Sequence, residues 1–380
     1  MYTQDPDYAS YPDITRRADK EQLEQLTTLL KSADLSAQAN SLRPGHTSNI
    51  LIPTDTRDYL KGGMNVILPL TFDDGVKWVA RVRQKRFDEP PVEKRKILVA
   101  SEVESLRVMK EAGLQVPAVY FSSDQAPDLN YYFLDFVGGT PAAAPLTEHD
   151  NPSQIPTIIR SFAQFQIALS ELTFPFIGSL HPSPSGGGER IVGPLCDRYI
   201  KQGRLFQHKP VLSYLAHLEI KEMVVNFDGW GEEDVFYLKH ADDKGDHLMI
   251  DPKGNITNVI DWEWAYITSK AEAFAAPCAF SSVVEYCDQG RATLCDLEHL
   301  LMKDYQDLGR PDLADCVKEG KKYQFLNDLV GEEPQMVLMD GLRETFSKER
   351  KKFAMEQEWE EWAKKVFSED QGLKDLLKKA

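Results

Sequence analysis

The segment from Val235 to Ala265 constrains the fold of this chain more than any other. Two short apolar runs, LMI and VI, flank a Pro-Lys-Gly-Asn turn at residues 252–255, and this pattern predicts a hairpin. Acidic residues stand before the first strand and after the second, among them Asp242, Asp246 and Asp261. Carboxylates that face each other across a hairpin repel unless a cation lies between them or one takes up a proton. The segment therefore predicts a cation-binding site.

Length and charge narrow the class of protein. A chain of 380 residues, 42% of them hydrophobic, can bury a large core and suggests two domains or lobes. The net charge of -16 argues against a nucleic-acid binder, which needs clustered Lys and Arg to displace counterions from phosphate. A cationic or neutral small molecule is the better partner.

Cysteine usage and hydropathy bear on location. The five cysteines are odd in number and include no Cys-X-X-Cys pair, which is typical of reduced thiols inside cells. The N-terminus has no apolar signal region, and no later run approaches the ~20 apolar residues of a membrane span. We expect a cytoplasmic protein that does not contact a membrane.

The first part of the chain is rich in strand patterns. A short helix is predicted at Asp19–Lys31, from leucines at helical spacing, and residues 43–61 look irregular. The Asp-Asp-Gly turn at 73–75 predicts a hairpin. The remaining predicted elements of this part are the hairpin strands, a helix and two further strands, at 65–72, 76–82, 96–112, 116–121 and 131–137.

Gly138-Gly139 and the Pro/Ala-rich segment after them interrupt the pattern, and helical periodicity dominates from there on. The predicted fold class is α+β, with a small antiparallel sheet and one helix first and a larger, mostly helical part second. We expect an N-terminal extension with a short helix over residues 1–45, a sheet lobe over 46–139, and a helical lobe over 140–380. The helical lobe would contain the hairpin segment at 235–265.

Four segments occur in an order that a known family shares: GGMNVILPLTFDDGVKWVARV, SEVESLRVMKEAGLQVPAVY, FPFIGSL and NITNVIDWEWA. From Gly62 to the tail the chain resembles the aminoglycoside phosphotransferase and choline kinase branch of the protein-kinase-like fold. Within that branch it is similar to a fungal group with the loop variant HxDDKGDH. Four ordered motifs are far more specific than any one of them. The resemblance implies a two-lobed kinase-like fold.

The family's catalytic segment is HxDxxxxN, followed by a strand and then IDWE. His240 and Asp242 match it, so the resemblance implies that Asp242 is the catalytic base and that His240 is a scaffold residue bonded to nearby backbone. Asp261 matches the metal-binding aspartate. His247 stands where the family has asparagine, and an imidazole suits softer metals than Mg²⁺. Asp246 beside it is the other candidate ligand.

One carboxylate of this loop remains without a role in the pattern. Asp243 follows the expected catalytic base directly. Asp243 is another spare carboxylate that could supply a ligand oxygen, although a solvated loop side chain is the expected state of both Asp243 and Asp246.

Phosphoryl transfer also needs a backbone cover and a cation on the phosphates. The turn at 62–65, with Gly63 and Asn65, is the candidate cover. Arg81 in the second hairpin strand and Glu102 in the following helix are the candidate ion pair, and Glu104 competes with Glu102 for the arginine.

The segment at 132–137 falls where the family has its hinge, so backbone groups between Asp135 and Val137 are expected to bond an adenine edge. The acceptor pocket is less defined. The ring faces of three aromatic residues could line a pocket for a cationic acceptor: Trp262, Trp264 and Tyr266. Packing in the core is the competing role for these side chains.

Together these residues predict an ATP- and Mg²⁺-dependent enzyme, with Mn²⁺ as an alternative metal. It would transfer the γ-phosphate to a hydroxyl of a small molecule, for which a hydroxylated amine is one candidate class. One alternative is a pseudokinase that binds nucleotide with weak or no turnover because of His247. Another is a metal hydrolase with His240, Asp242, Asp246 and His247 as ligands, which leaves the first 137 residues unexplained.

Overall fold

The computed structural model describes residues 11–84, 91–121, 129–185, 189–196, 209–231, 233–281, 284–330, 334–347 and 349–378. Contacts divide the chain into two compact units. The sheet unit comprises Met1–Lys110 and Val116–Val137, and the helical unit comprises Glu111–Gln115 and Gly138–Ala380. The predicted α+β fold class, with antiparallel sheets and many helices, is confirmed.

The sheet unit is built on a six-stranded antiparallel sheet in the order β1-β3-β4-β6-β5, with β2 also paired to β3. Its elements are α1 (Tyr11–Ser32), α2 (Leu35–Leu42), β1 (Ser48–Ile50), β2 (Leu60–Lys61), β3 (Asn65–Phe72), β4 (Lys77–Arg83), α3 (Val92–Glu111), β5 (Val119–Tyr120) and β6 (Tyr131–Asp135).

The hairpin of β3 and β4 has the alternation that a half-buried sheet requires. Val66, Leu68 and Leu70 are buried, whereas the residues between them are partly or fully exposed. Gly75 has φ of 86°, so glycine suits this turn position. The register places Arg81 of β4 opposite Ile67 on one side and Tyr132 of β6 on the other.

The N-terminal region differs from the prediction. In place of one short helix at Asp19–Lys31 there are two helices, α1 and α2. Four leucines of these helices are buried in one core with the sheet: Leu23, Leu26, Leu30 and Leu35. The region expected to be irregular, 43–61, contributes β1 and β2 as edge strands. β1 has three residues and β2 has two, so their pairing with β3 is what defines them as strands.

Within the described residues, the helical unit contains eight short strands and nine helices, together with 3₁₀ turns. Its strands are β7 (Thr140–Pro141), β8 (Thr173–Phe174), β9 (Ser179–Pro182), β10 (Arg190–Gly193), β11 (Phe236–Lys239), β12 (Leu248–Ile250), β13 (Ile256–Val259) and β14 (Tyr266–Thr268). Its helices are α4 (Ile155–Leu169), α5 (Pro210–Val225), α6 (Lys270–Ala273), α7 (Asp296–Asp307), α8 (Pro311–Lys318), α9 (Lys321–Leu329), α10 (Met336–Phe346), α11 (Glu356–Val366) and α12 (Gln371–Leu377).

The segment at 235–265 contributes to two sheets. β12 and β13 form the predicted hairpin, and β12 also pairs with β7. β11 instead pairs with β14 and β8, so it lies outside the hairpin. Asp251 closes the turn: its carboxylate accepts the Lys253 and Asn255 amides. The connection between β11 and β12 is therefore a loop that runs from one small sheet to the other.

A second core lies among the C-terminal helices. Glu219 of α5 accepts two hydrogen bonds from Arg343 of α10, at 2.7 and 2.8 Å, and a third from the Trp359 indole of α11 at 2.7 Å. All three side chains are buried.

Across the described part of the chain, no helix combines the length and apolar character that a membrane crossing requires.

Candidate active site

The loop from Lys239 to Leu248 is held by an imidazole that bonds backbone on both sides. His240 Nδ1 accepts the Asp242 amide at 3.2 Å, and Nε2 lies 3.0 Å from the Ile260 carbonyl. This pattern requires the proton on Nε2, which then donates to that carbonyl. Ile260 directly precedes Asp261. One buried imidazole ring is therefore hydrogen-bonded both to the backbone of Asp242 and to the backbone of the residue before Asp261.

His247 is a second buried ring behind the same loop. Its Nδ1 accepts the Gly245 amide at 3.2 Å, and its ring stacks on His240 with centroids 4.3 Å apart. Burial, followed by the electrostatic influence of His240 and Lys244, lowers the pKa of His247 well below its usual value. The ring is therefore neutral and engaged in the loop's own hydrogen bonding. This geometry favours a structural role for His247 over metal ligation.

Gly245 allows the loop to pass close to a neighbouring segment. Its φ is 117°, and a Cβ at this position would lie 2.4 Å from the carbonyl oxygen of Ala143. Only glycine fits both constraints. The loop's path is thus set by a glycine and two buried histidines.

Lys244 is a site residue that the sequence analysis did not single out. Its Nζ lies 2.9 Å from Asp242 Oδ2. Burial lowers the pKa of Lys244, but the hydrogen bond to Asp242 and the charges of Asp242, Asp246 and Asp261 outweigh it, so the pKa is raised. The lysine therefore carries its charge among these carboxylates. A lysine inside the run Asp-Asp-Lys-Gly-Asp was the sequence signal for this role.

Asp243 is not the solvated loop residue that was expected. Its side chain is mostly buried, 3.6 Å from Lys239 Nζ, and it accepts the Cys278 amide at 3.2 Å. Its carbonyl accepts the Ala279 amide. The sequence could not show this because the partner segment lies 35 residues away. Asp246, in contrast, is exposed and has no hydrogen bond or ion pair within the described residues.

Asp261 follows β13 in an unusual backbone conformation. Its φ of 63° is left-handed, which aspartate tolerates better than most residues. The Ile260 amide bonds the His247 carbonyl, so the β12–β13 ladder continues to the residue before Asp261. Non-glycine residues in this conformation cluster at functional sites. The end of the β12–β13 ladder and the hydrogen bond from His240 to the Ile260 carbonyl together fix the backbone position of Asp261.

The aromatic residues near the hairpin divide between core and surface roles. Trp262 is buried, donates to the Val259 carbonyl and packs at the edge of His240. Tyr266 in β14 donates to Glu272. Trp264 is half-buried, with a left-handed φ of 63°. Trp262 is therefore a core residue, which is the competing role that the sequence analysis gave it.

The sheet unit carries the predicted ion pair. Arg81 Nε lies 3.6 Å from Glu102 Oε1, and both side chains are close to buried, at 11% and 5% exposure. The competing Glu104 lies 2.7 Å from Arg107. A strand arginine and a helix glutamate thus meet within one unit. An ion pair with so little exposure is screened weakly by solvent.

The other predicted residues of the sheet unit lie at the ends of strands. The turn at 62–65 closes through the Gly62 amide and the Asn65 carbonyl, and a Cβ at Gly63 would meet nothing within 4 Å. Asp135 accepts from the Ala118 amide and the Tyr120 hydroxyl. Within the described residues Val137 has no backbone hydrogen bond.

The oxygen-rich side of the loop suits a hard divalent cation. Mg²⁺ prefers carboxylate oxygens in octahedral geometry, and Asp242, Asp246 and Asp261 all lie close enough to act on Lys244. His247 does not fit such a set, since its ring is buried and its Nδ1 already accepts a hydrogen bond. Among the described residues, the group of three whose ligand atoms all lie within 4.8 Å of one another is His46, Asp73 and Asp74, and not these aspartates. An ion at the loop would therefore take one or two carboxylates from the protein and complete its coordination with phosphate and water oxygens, as Mg²⁺ usually does.

Solved structures with similar folds have low sequence identity to this chain. The aminoglycoside phosphotransferase APH(4)-Ia is 15% identical, with 87% of this chain and 97% of that chain covered and a TM-score of 0.45. The ternary complex of APH(2")-IIa with streptomycin and ATP is 14% identical (82% and 96% covered, TM-score 0.46). The macrolide 2'-phosphotransferase MphH from Brachybacterium faecium is 12% identical (84% and 99% covered, TM-score 0.41).

No curated protein sequence matches the chain significantly. The family profile described as "Phosphotransferase enzyme family" matches residues 70–272, more than half of the 380-residue chain. The match begins in β3 and ends in α6, so it includes Arg81, Glu102, the His240 loop and Asp261. The chain therefore belongs to the phosphotransferase enzyme family.

Proposed function

We propose that this protein transfers the γ-phosphate of ATP to a hydroxyl group of a small molecule. The observation that carries the proposal is the pair of hydrogen bonds that His240 forms with the backbone, one at the Asp242 amide and one at the Ile260 carbonyl, next to Asp261. A phosphotransferase needs a carboxylate at the acceptor hydroxyl and another at the metal, each held in a set position. The imidazole couples the positions of these two acids without using either carboxylate.

Asp242 accepts or orients the proton of the acceptor hydroxyl. Its side chain is 19% exposed, so it is accessible to a substrate yet partly shielded from water. Arg81 is the cation on the nucleotide phosphates, and Glu102 holds its guanidinium in place. The backbone of the turn at 62–65 covers the phosphates, and Val137 bonds the adenine edge.

Asp261, with Asp246, holds the divalent ion, which we take to be Mg²⁺ or Mn²⁺. When bound, such an ion neutralises charge that develops on the transferred phosphoryl group. The acceptor that best suits a chain of net charge -16 is a hydroxylated amine.

A nucleotide and metal screen tests the proposal. ATP with Mg²⁺ or Mn²⁺ should raise the melting temperature of the protein, because a ligand that binds only the folded state stabilises it. ADP release against a panel of hydroxylated amines, aminoglycosides included, then identifies the acceptor. Asp242→Asn should keep the thermal shift and lose roughly 100-fold or more of the turnover.

Asp261→Asn should lower the metal-dependent part of the thermal shift. Asp228→Asn is the matched control, since Asp228 is exposed and lies outside the site. Turnover that survives Asp242→Asn would overturn the assignment of the base. Zinc in the purified protein without any nucleotide shift would favour a metal hydrolase instead.

One observation favours a second candidate, a pseudokinase that binds nucleotide without turnover. The family's metal-binding asparagine is replaced by His247, whose ring is buried and hydrogen-bonded to Gly245. This candidate predicts the same thermal shift with ATP but no ADP release with any acceptor. Turnover with one acceptor of the panel would exclude it.

A further inference from the structure

The acidic part of the candidate site already contains a positive charge of its own. We propose that the Lys244 ammonium takes the place of a second divalent cation, so that the nucleotide complex of this protein holds a single metal ion. This inference rests on the proposed nucleotide-dependent function and specifies its metal requirement.

The position of the ammonium is the first support. Lys244 Nζ is 2.9 Å from Asp242 Oδ2, although the lysine side chain is 58% exposed and has room to extend into solvent. An ion pair in which the lysine is this exposed contributes little to stability. Its presence is therefore better explained by the charge of the site than by folding. The charges of Asp246 and Asp261 act on the same ammonium.

The second support is that the His247 ring is already engaged within the loop. A second ion would need a ligand at this position, where the imidazole instead accepts the Gly245 amide and stacks on His240. Mg²⁺ loses its water reluctantly and requires near-ideal octahedral geometry, so a missing protein ligand weakens its site. An ammonium needs no such geometry and donates three hydrogen bonds.

Charge balance points in the same direction. Lys244 supplies one positive charge beside the carboxylates of Asp242, Asp246 and Asp261. In the nucleotide complex this ammonium compensates part of the negative charge of the carboxylates and the triphosphate that a second divalent ion would otherwise compensate. Replacement of the lysine by a neutral residue should create the demand for that second ion.

The experiment counts bound Mn²⁺ and bound nucleotide per chain by equilibrium dialysis, with a non-hydrolysable ATP analogue at saturation. We expect one Mn²⁺ per bound nucleotide in the wild type and two in Lys244→Met, which keeps the side-chain length and removes the charge. Lys244→Arg keeps the charge and should stay at one. Lys253→Met, on the exposed hairpin turn, is the matched control and should also stay at one.

The outcomes separate this inference from the proposed function. If the wild type binds the analogue with two Mn²⁺ ions, the nucleotide-dependent function stands and the role of Lys244 is wrong. A count of one in both the wild type and Lys244→Met overturns the inference equally. If none of the four proteins binds the analogue, the proposed function itself fails, and the inference with it. Far-UV circular dichroism checks that each variant is folded.

Discussion

At the scale of single residues, the motif spacing identified the acids but not what surrounds them. His240, Asp242 and Asp261 could be named because HxD and IDWE are local patterns. Three other features depend on tertiary packing: the orientation of the His247 ring, the ion pair of Asp243 with Lys239, and the contact of Lys244 with Asp242. A sequence pattern does not encode which atom of a side chain is already hydrogen-bonded.

His247→Asn tests this distinction. If His247 were a poor metal ligand, asparagine would restore the family pattern and improve Mg²⁺ affinity. The structure leads us to expect a less stable protein instead, by about 1–3 kcal/mol, because a smaller side chain loses the stack on His240 and leaves a void. Urea denaturation measures the stability, and Mn²⁺ binding in the presence of nucleotide measures the metal affinity.

The control for this substitution is His299→Asn, since His299 is exposed in α7. It should change stability by less than ~0.5 kcal/mol. Unchanged stability of His247→Asn together with tighter metal binding would contradict the structural role assigned to the ring.

At the scale of elements, alternation and helical periodicity predicted the long segments and missed the short ones. The β3–β4 hairpin is close to its predicted position, since each strand buries one regular face. α1 begins at Tyr11, although residues before Asp19 show no apolar periodicity. β1 and β2 are two- or three-residue strands whose pairing with β3 cannot be read from composition.

Arg43 is predicted to attach the N-terminal helices to the β3–β4 hairpin. Its guanidinium donates to both Asp74 oxygens, at 2.9 and 2.7 Å, and lies over the Phe72 ring. Arg43→Met should increase hydrogen exchange in α1 and α2. Arg57→Met is the control, because Arg57 is exposed and bonds Asp55 only two residues away. Equal exchange in the two variants would rule out this attachment.

The same pair predicts a pH dependence. The hydrogen bond from Arg43 lowers the pKa of Asp74 from 3.8 to about 2. A carboxyl whose folded pKa is depressed contributes stability above its unfolded pKa, and that contribution is lost as pH falls toward the folded pKa. The difference in stability between wild type and Arg43→Met should therefore shrink between about pH 4 and pH 2. Thermal unfolding across this window measures it, and a constant difference would contradict it.

At the scale of the whole molecule, the described residues include two hydrophobic cores that belong to different units. Leu26 and Trp78 belong to the core of the sheet unit, whereas Trp359 and Phe325 belong to the core of the C-terminal helices. The change from strand to helix patterns near Gly138 made two lobes predictable from sequence. The membership of α1 and α2 in the first core was not, because their contacts with the sheet are tertiary.

Two cores predict that calorimetric unfolding deviates from a single two-state transition. Leu26→Ala, which removes a buried side chain of the sheet unit, should cost about 2–5 kcal/mol and lower one transition. Glu219→Ala removes the two hydrogen bonds that the buried Arg343 donates to Glu219 and leaves it only the one to Asp340, which costs about 3–5 kcal/mol, and should lower the other transition. If both variants shift one common transition to the same extent, the two cores unfold as one cooperative unit and this prediction is wrong.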